Sequence, residues 1–281
     1  MFYILENDKP NFWNKAFSQV RLEQNKIILP HYEKITEKKA QKLARKTLKI
    51  IMKSNVRKIA ISNNLKKEKD YIMCIQSEQI EIVDGRWLYL MLIPDILNYL
   101  SQKKNLEKQK TRISILINDC TENCLQMIKD LIPQYQNINI VTNHREKFEK
   151  LEKQYLEKEG ILLTITNNKK KSLMRSEIIV NVDFPKELIN QYCIKEDATL
   201  VNLSPNVEIT KKRFQGTCVQ DYEITRNQQN VEYDKLLEEN FPMKELYEAE
   251  FYRKQPYENV RKQIKRDGVK ICKLYLKNGV M

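Results

Sequence analysis

Apolar and polar positions along this chain follow two periods that take turns. Runs with apolar residues in succession or at every second position predict strands: KIILP, VRKIAIS, QIEIVDG, RISILIN, NINIVTN, ILLTITN, SEIIVNVD and ATLVNLS. Between them lie stretches whose apolar residues recur every three to four positions, and these predict helices. Residues 36–53 form the first, with Leu43, Leu48, Ile51 and Met52 set among charges. LKKEKDYIMCIQS, TENCLQMIKDLIPQY and REKFEKLEKQYLEKEG follow the same rule, the last closed by a glycine. RWLYLMLIPDILNYLSQKKN predicts a long helix kinked by Pro94. KKSLMR and FPKELINQY are too short for more than one or two helical turns. Strands separated by helices of this length imply right-handed crossovers and a mostly parallel sheet. The fold class is therefore α/β.

The polar stretch KKNLEKQKT, residues 103–111, interrupts the pattern, which then restarts more cleanly. It divides an N-terminal α/β domain at 1–105, ending in the long linking helix, from a second α/β domain at 106–226. Residues 227–281 read as a mainly helical C-terminal tail that ends in the strand-like VKICKLYL.

The totals fit this plan. A length of 281 residues suits two α/β domains, and 41% hydrophobic residues suit a packed core. The longest apolar run, WLYLMLIP, is far short of the roughly 20 residues that a membrane span needs. The start, MFYILENDKP, lacks the basic and apolar regions of a secretory signal, so a soluble, cytoplasmic protein without a membrane partner is expected. Six cysteines include no CxxC pair and read as reduced thiols. His31 and His144 are the two histidines, too few for a zinc site of the usual spacing, so no metal is expected. The net charge of +13 raises nucleic acid as a partner. Against it, Lys outnumbers Arg about threefold and is interleaved with Glu, as on solvated helix faces carrying i,i+4 ion pairs.

Nearly every strand ends in amide or acidic side chains: ISNN (61–64), IND (117–119), VTN (141–143), ITNN (165–168), NVD (181–183) and VNLS (201–204). In a parallel sheet these ends share one edge, where ligands bind at the topological switch point. Two readings stay open. The residues cap the helices that follow and tolerate left-handed turns, or together they line a ligand crevice.

Three stretches carry a family resemblance. ISILINDCTENCLQMI is a strand, turn and helix; NIVTNHREKFEKL is a second strand ending near Asn and Arg; SEIIVNVDFPKEL precedes ATLVNLS and GTCVQDYEI. In this order, over residues 112–229, they resemble the NADP-binding domain of the shikimate dehydrogenase and glutamyl-tRNA reductase type. The resemblance implies a Rossmann-like second domain, NADP as cofactor, and Asn143 and Arg145 flanking the adenosine 2′-phosphate. The cofactor-binding set it implies is Asn118, Thr121, Asn143, Arg145, Asn167 and Asp183, with a nucleotide or other small molecule as the partner.

The family's pattern is broken where its chemistry lies. A fingerprint turn needs glycines for the tight bend, the phosphate approach and the helix packing; those positions hold Asn118, Cys120 and Asn123. Asp119 and Glu122 add negative charge at the helix end that would attract phosphate. Catalytic residues cannot be assigned. Asp84 lies outside any matching Lys–Asp motif, Cys74 has the apolar neighbours of a core residue, and Gln229 follows Tyr222 rather than the expected glycine. Cys120 and Cys124, four apart at a helix start, read as packing; His144 reads as a surface or capping residue. Lys169, Lys170, Lys171 and Arg175 read as a solvated turn, with an acidic ligand as the alternative. Three functions follow, in order of preference: non-catalytic nucleotide or small-ligand binding or sensing, an active NADP-dependent reductase or dehydrogenase, and a basic nucleic-acid- or protein-interaction module.

Overall fold

The computed structural model describes residues 2–7, 19–31, 35–54, 56–161, 163–204, 207, 209–210, 213–227, 240–251 and 253–281. In chain order the first elements are β1 (Tyr3–Asn7), β2 (Arg21–Glu23), β3 (Lys26–Leu29), α1 (Glu37–Met52), β4 (Lys58–Ile61), α2 (Lys69–Gln76), β5 (Glu81–Ile82), α3 (Arg86–Met91) and α4 (Ile93–Lys103). There follow β6 (Arg112–Leu116), α5 (Glu122–Leu131), β7 (Asn137–Val141), α6 (Glu149–Glu159), β8 (Thr164–Thr166), β9 (Ile178–Asn181), α7 (Lys186–Ile189), β10 (Thr199–Asn202) and β11 (Thr217–Thr225). The last are α8 (Met243–Ala249), α9 (Tyr257–Arg266), β12 (Lys270–Leu276) and β13 (Gly279–Val280). The chain forms two compact units, one from Met1–Trp87 with Asn227–Gln255, the other from Leu88–Arg226 with Pro256–Met281.

The first unit is built on a sheet ordered β2-β3-β1-β4-β5, parallel except for the β2 edge. On one face, α1 presents Ala40, Leu43, Ala44, Leu48 and Ile51, a stripe at helical spacing that packs with Tyr71 and Ile75 of α2. Thr47 and Tyr71 satisfy each other inside this layer, hydroxyl to hydroxyl at 2.8 Å. Ile4 and Ala60 point to the opposite face and pack with Phe241, Leu246 and Ala249 at and beside α8. The returning segment thus closes a second core that β1 and β4 would otherwise expose.

The second unit carries the sheet β13-β12-β11-β10-β9-β6-β7-β8. Its six strands β6 to β11 are all parallel, and β12 and β13 extend one edge antiparallel. Numbered along the chain, the parallel strands lie in the order 3-2-1-4-5-6, the doubly wound order of dinucleotide-binding domains, which reverses direction between β6 and β9. The α/β reading holds, and this unit is Rossmann-like.

The long helix over 86–105 is instead two, α3 and α4, with Pro94 in the first turn of α4, where a missing N–H costs nothing. QIEIVDG shrinks to the two residues of β5. Gly160 caps α6 in the left-handed conformation at φ 65°. Between β8 and β9, residues 169–175 form turns rather than a helix, pinned by a bridge from Leu173 to Ile194.

Candidate functional site

At the switch point, β9 leaves the sheet through a turn fixed by its own last residue. Asn181 is fully buried; its Oδ1 accepts from Phe184 N at 2.9 Å, and its Nδ2 donates to Phe184 O at 3.0 Å and to Asn202 Oδ1 at 2.7 Å. Asn202 in turn donates to Ser204 O at 2.6 Å. This turn holds Asp183 over the end of β6. Its two carboxylate oxygens accept from Asn118 N at 2.8 and 2.9 Å, and Oδ2 accepts also from Asp119 N at 2.6 Å. These amides lie in the turn after strand β6, just past Ile117, whose own amide still donates to Val141 O at 3.0 Å; they are the donors that a phosphate-binding turn of this fold directs at its ligand. Here the chain's own carboxylate takes them.

The turn is tied further. Asn118 Oδ1 accepts from Asn143 N at 2.9 Å, linking the ends of β6 and β7, and Lys147 Nζ donates to Asn118 O at 3.4 Å. Burial lifts the Asp183 carboxyl above the ordinary carboxylate value; the amide bonds from Asp119 and Asn118 lower it, the negative charge of Asp119 raises it, and Lys147 lowers it.

Thr121 is the N-cap of α5. Its Oγ1 accepts from Cys124 N at 3.3 Å, and its hydroxyl donates to Cys124 Sγ at 3.0 Å. Burial pushes the Cys124 thiol up to about 11 and raises Cys120 as well, the latter against the pull of Lys147. Neither cysteine has the electropositive surroundings of a reactive thiolate.

Of the residues singled out in the sequence, Asn118, Asn143 and Asp183 meet in one network, and Thr121 stands beside it as a cap. Arg145 and Asn167 are exposed at the ends of the neighbouring strands β7 and β8 and make no side-chain bond to that network. Asn181, Asn202 and Asn168 serve the chain itself, Asn168 Oδ1 accepting from Lys170 N and Lys171 N at 3.0 and 3.1 Å. These three close turns of the chain; none of them caps a helix. His144 is exposed, 3.5 Å from Glu146. Asp84 caps α3, accepting from Arg86 N at 3.0 Å, and Cys74 packs against the first unit's core. Tyr222 is buried against Tyr89, centroids 4.7 Å apart; Gln229 lies outside the described residues. Gly216 has a steric reason, since a Cβ there would stand 2.0 Å from Ala198 O.

A second feature escaped the sequence reading. One face of β6, β7 and β8 is polar, because Arg112 and Ser114 pair in register with Asn137 and Asn139, and Asn139 pairs with Thr164. A cleft of about 440 Å³ lies over this face, bounded by the 168–176 crossover. The signal was there: RISIL and NINIV alternate over their first four residues and TIT throughout, whereas parallel strands covered on both faces read as unbroken apolar runs. Among the described residues, no three His, Cys, Asp or Glu side chains group to hold a metal ion, and no helix is long and apolar enough to cross a membrane.

No family model matches the chain, and no curated protein matches it. Among solved structures it is similar to a putative D-3-phosphoglycerate dehydrogenase oxidoreductase from Ralstonia solanacearum, at 9% identity over 94% of this chain and 95% of that one, TM-score 0.38. A shikimate 5-dehydrogenase-like protein aligns at 13% identity over 78% of this chain and 84% of that one, TM-score 0.32. Ornithine transcarbamoylase from Giardia lamblia aligns at 9% over 73% of each chain, also at 0.32. Likenesses this slight bear on neither fold nor function; the Rossmann-like description rests on the strand order.

Proposed function

We propose that this chain is a non-catalytic binding or sensing protein for a nucleotide or other small polar ligand, built on a dinucleotide-binding scaffold whose phosphate grip is closed. One observation carries the reading: the Asp183 carboxylate accepts from both Asn118 N and Asp119 N. A pyrophosphate needs those amides, and it would meet three carboxylates, Asp183, Asp119 and Glu122, around the start of α5. Lys147 offsets only part of that charge. The residues present therefore do not fit NADP held in the family's manner, and no hydride-transfer step is derived through it. The raised thiols of Cys120 and Cys124 argue likewise against a covalent thiolate mechanism at this edge. The ligand-facing groups that remain at the crest are the exposed Asn143, Arg145 and Asn167.

The second reading keeps NADP and an NADP-dependent reductase or dehydrogenase activity. It is favoured by Arg145, exposed just beyond β7, where the fold reads the adenosine ribose and its 2′-phosphate. Calorimetric titration of the full chain with NADPH and NADH separates the two. The first reading expects no saturable binding of either at millimolar cofactor. Micromolar NADPH binding, weakened by Arg145→Ala more than NADH binding is, would establish the second and remove the first.

A further inference from the structure

We infer that the cleft over the polar face of β6–β8 is a second binding site, separate from the strand crest, for a small phosphate monoester with a hydroxyl-bearing body. Three cations line it, Arg112 from the start of β6 and Lys171 and Arg175 from the crossover; no carboxylate does. None of the three side chains has an ion-pair partner among the described residues. Glu177, the carboxylate beside Arg112 in the structure, accepts from the main-chain amide of Arg112 at 2.7 Å and lies 3.7 Å from Lys195. Three uncompensated positive charges around one concavity favour an anion, and guanidinium groups match phosphate oxygens two at a time.

The floor is built rather than merely wet. Ser114 and Ser176 are buried and share a hydrogen bond at 2.7 Å; Asn139 Nδ2 donates to Ser114 Oγ at 3.2 Å and to Ser172 O at 3.1 Å. Because Ser172 O can only accept, these bonds fix which end of the Asn139 amide is nitrogen. The other end, Asn139 Oδ1, is buried and accepts no hydrogen bond from the described residues. Buried polar atoms in folded proteins nearly always have a partner, so this one marks a strained polar floor beneath the cleft, whose open hydroxyl and amide groups on Thr164, Thr166 and Asn137 suit a hydroxyl-bearing ligand. A fully helix-covered sheet would have placed apolar residues at Ser114, Asn139 and Thr164. The volume of about 440 Å³ suits a small molecule and is too confined for a nucleic-acid duplex.

The test is calorimetric titration of the full chain with ribose 5-phosphate and with inorganic phosphate, ribose being the uncharged control and a short single-stranded oligonucleotide the polyanion control. The expected result is saturable binding of ribose 5-phosphate, none of ribose, and about tenfold or greater weakening in both Arg112→Gln and Arg175→Gln. Lys171→Gln, on an exposed turn, should weaken binding without altering the circular dichroism spectrum. The NADPH titration of the strand crest uses a different ligand and different residues, so that failure here and failure of the crest reading are read separately. Absence of binding by either phosphate probe, binding that all three cation variants leave intact, or tighter binding of the oligonucleotide with steep salt dependence would overturn the inference.

Discussion

Asp183, two residues past the end of β9, grips the main-chain amide of Asn118 with both carboxylate oxygens, at 2.8 and 2.9 Å. The contact spans the switch point of the sheet, where this architecture places a ligand's phosphate. A charged acceptor bonded to main-chain amides is among the stronger protein hydrogen bonds. It holds the β6–α5 turn in place and satisfies donors that would otherwise call for an anion or water. Scaffold and grip are therefore separable: the strand order is kept, and the donors are used internally.

Protonation of Asp183 gives a pH signature. Burial raises its carboxyl above the ordinary value, so the folded chain holds this proton more tightly than the unfolded chain does. Its contribution to stability is then fully present below the ordinary aspartate value and is lost as pH rises through the raised one. Urea unfolding of the wild type and Asp183→Asn at a series of acidic pH values should show the wild type's relative advantage shrinking as pH rises across that window. A relative advantage that grows with pH would contradict the assignment.

Asn202→Ala should cost stability without touching ligand binding. It removes the acceptor of Asn181 Nδ2 and the donor to Ser204 O inside a buried layer, a loss of about 1–3 kcal/mol. Chemical denaturation reads the loss directly. A neutral result would mean that the pair does not fix the turn.

Cys124 should be slow to alkylate. With its thiol pushed up to about 11, native protein at pH 8 carries roughly a hundredfold less Cys124 thiolate than an ordinary cysteine would. Mass spectrometry after brief iodoacetamide treatment should find exposed Cys193 modified well before Cys124. Rapid labelling of Cys124 in folded protein would show that the α5 start is not packed as described.

Arg261 on α9 is a half-buried cation held by Asp95, by Met91 O at 3.0 Å and by Asp130 at 3.5 Å, while Tyr257 donates to Asp130 at 3.0 Å. Arg261→Met leaves two carboxylates without their counter-charge. Both are partly exposed, so the expected loss is about 1–3 kcal/mol, less than for a fully buried pair. Asp95→Asn should cost less, because Asp130 still holds the arginine. Equal costs for the two variants would contradict the shared role of the carboxylates.

Much of this was legible in the sequence for a local reason. From Arg112 to Asn202 the apolar periods switch cleanly, and strand order follows from short right-handed crossovers. β1, residues 3–7, was not read, because only its pairing with both β3 and β4 makes a strand of it. The packing of Phe241, Leu246 and Ala249 onto Ile4 and Ala60 depends on contacts across most of the chain, which no window contains. The meeting of Asn118, Asn143 and Asp183 followed from their places at adjacent strand ends. That Asp183 would point at the amides rather than at a ligand did not follow, since it depends on the turn Asn181 makes. The cleft was written in alternation that is easily passed over when a strand is scored only as a strand.

The most direct measurement is calorimetric titration of Asp183→Ala beside the wild type with NADPH at moderate salt. If the carboxylate occupies the phosphate donors, its removal should give cofactor affinity at least about tenfold above the wild type's, two main-chain amides having been freed. Equal affinity in the two proteins, or wild-type binding that the substitution weakens, would contradict the account.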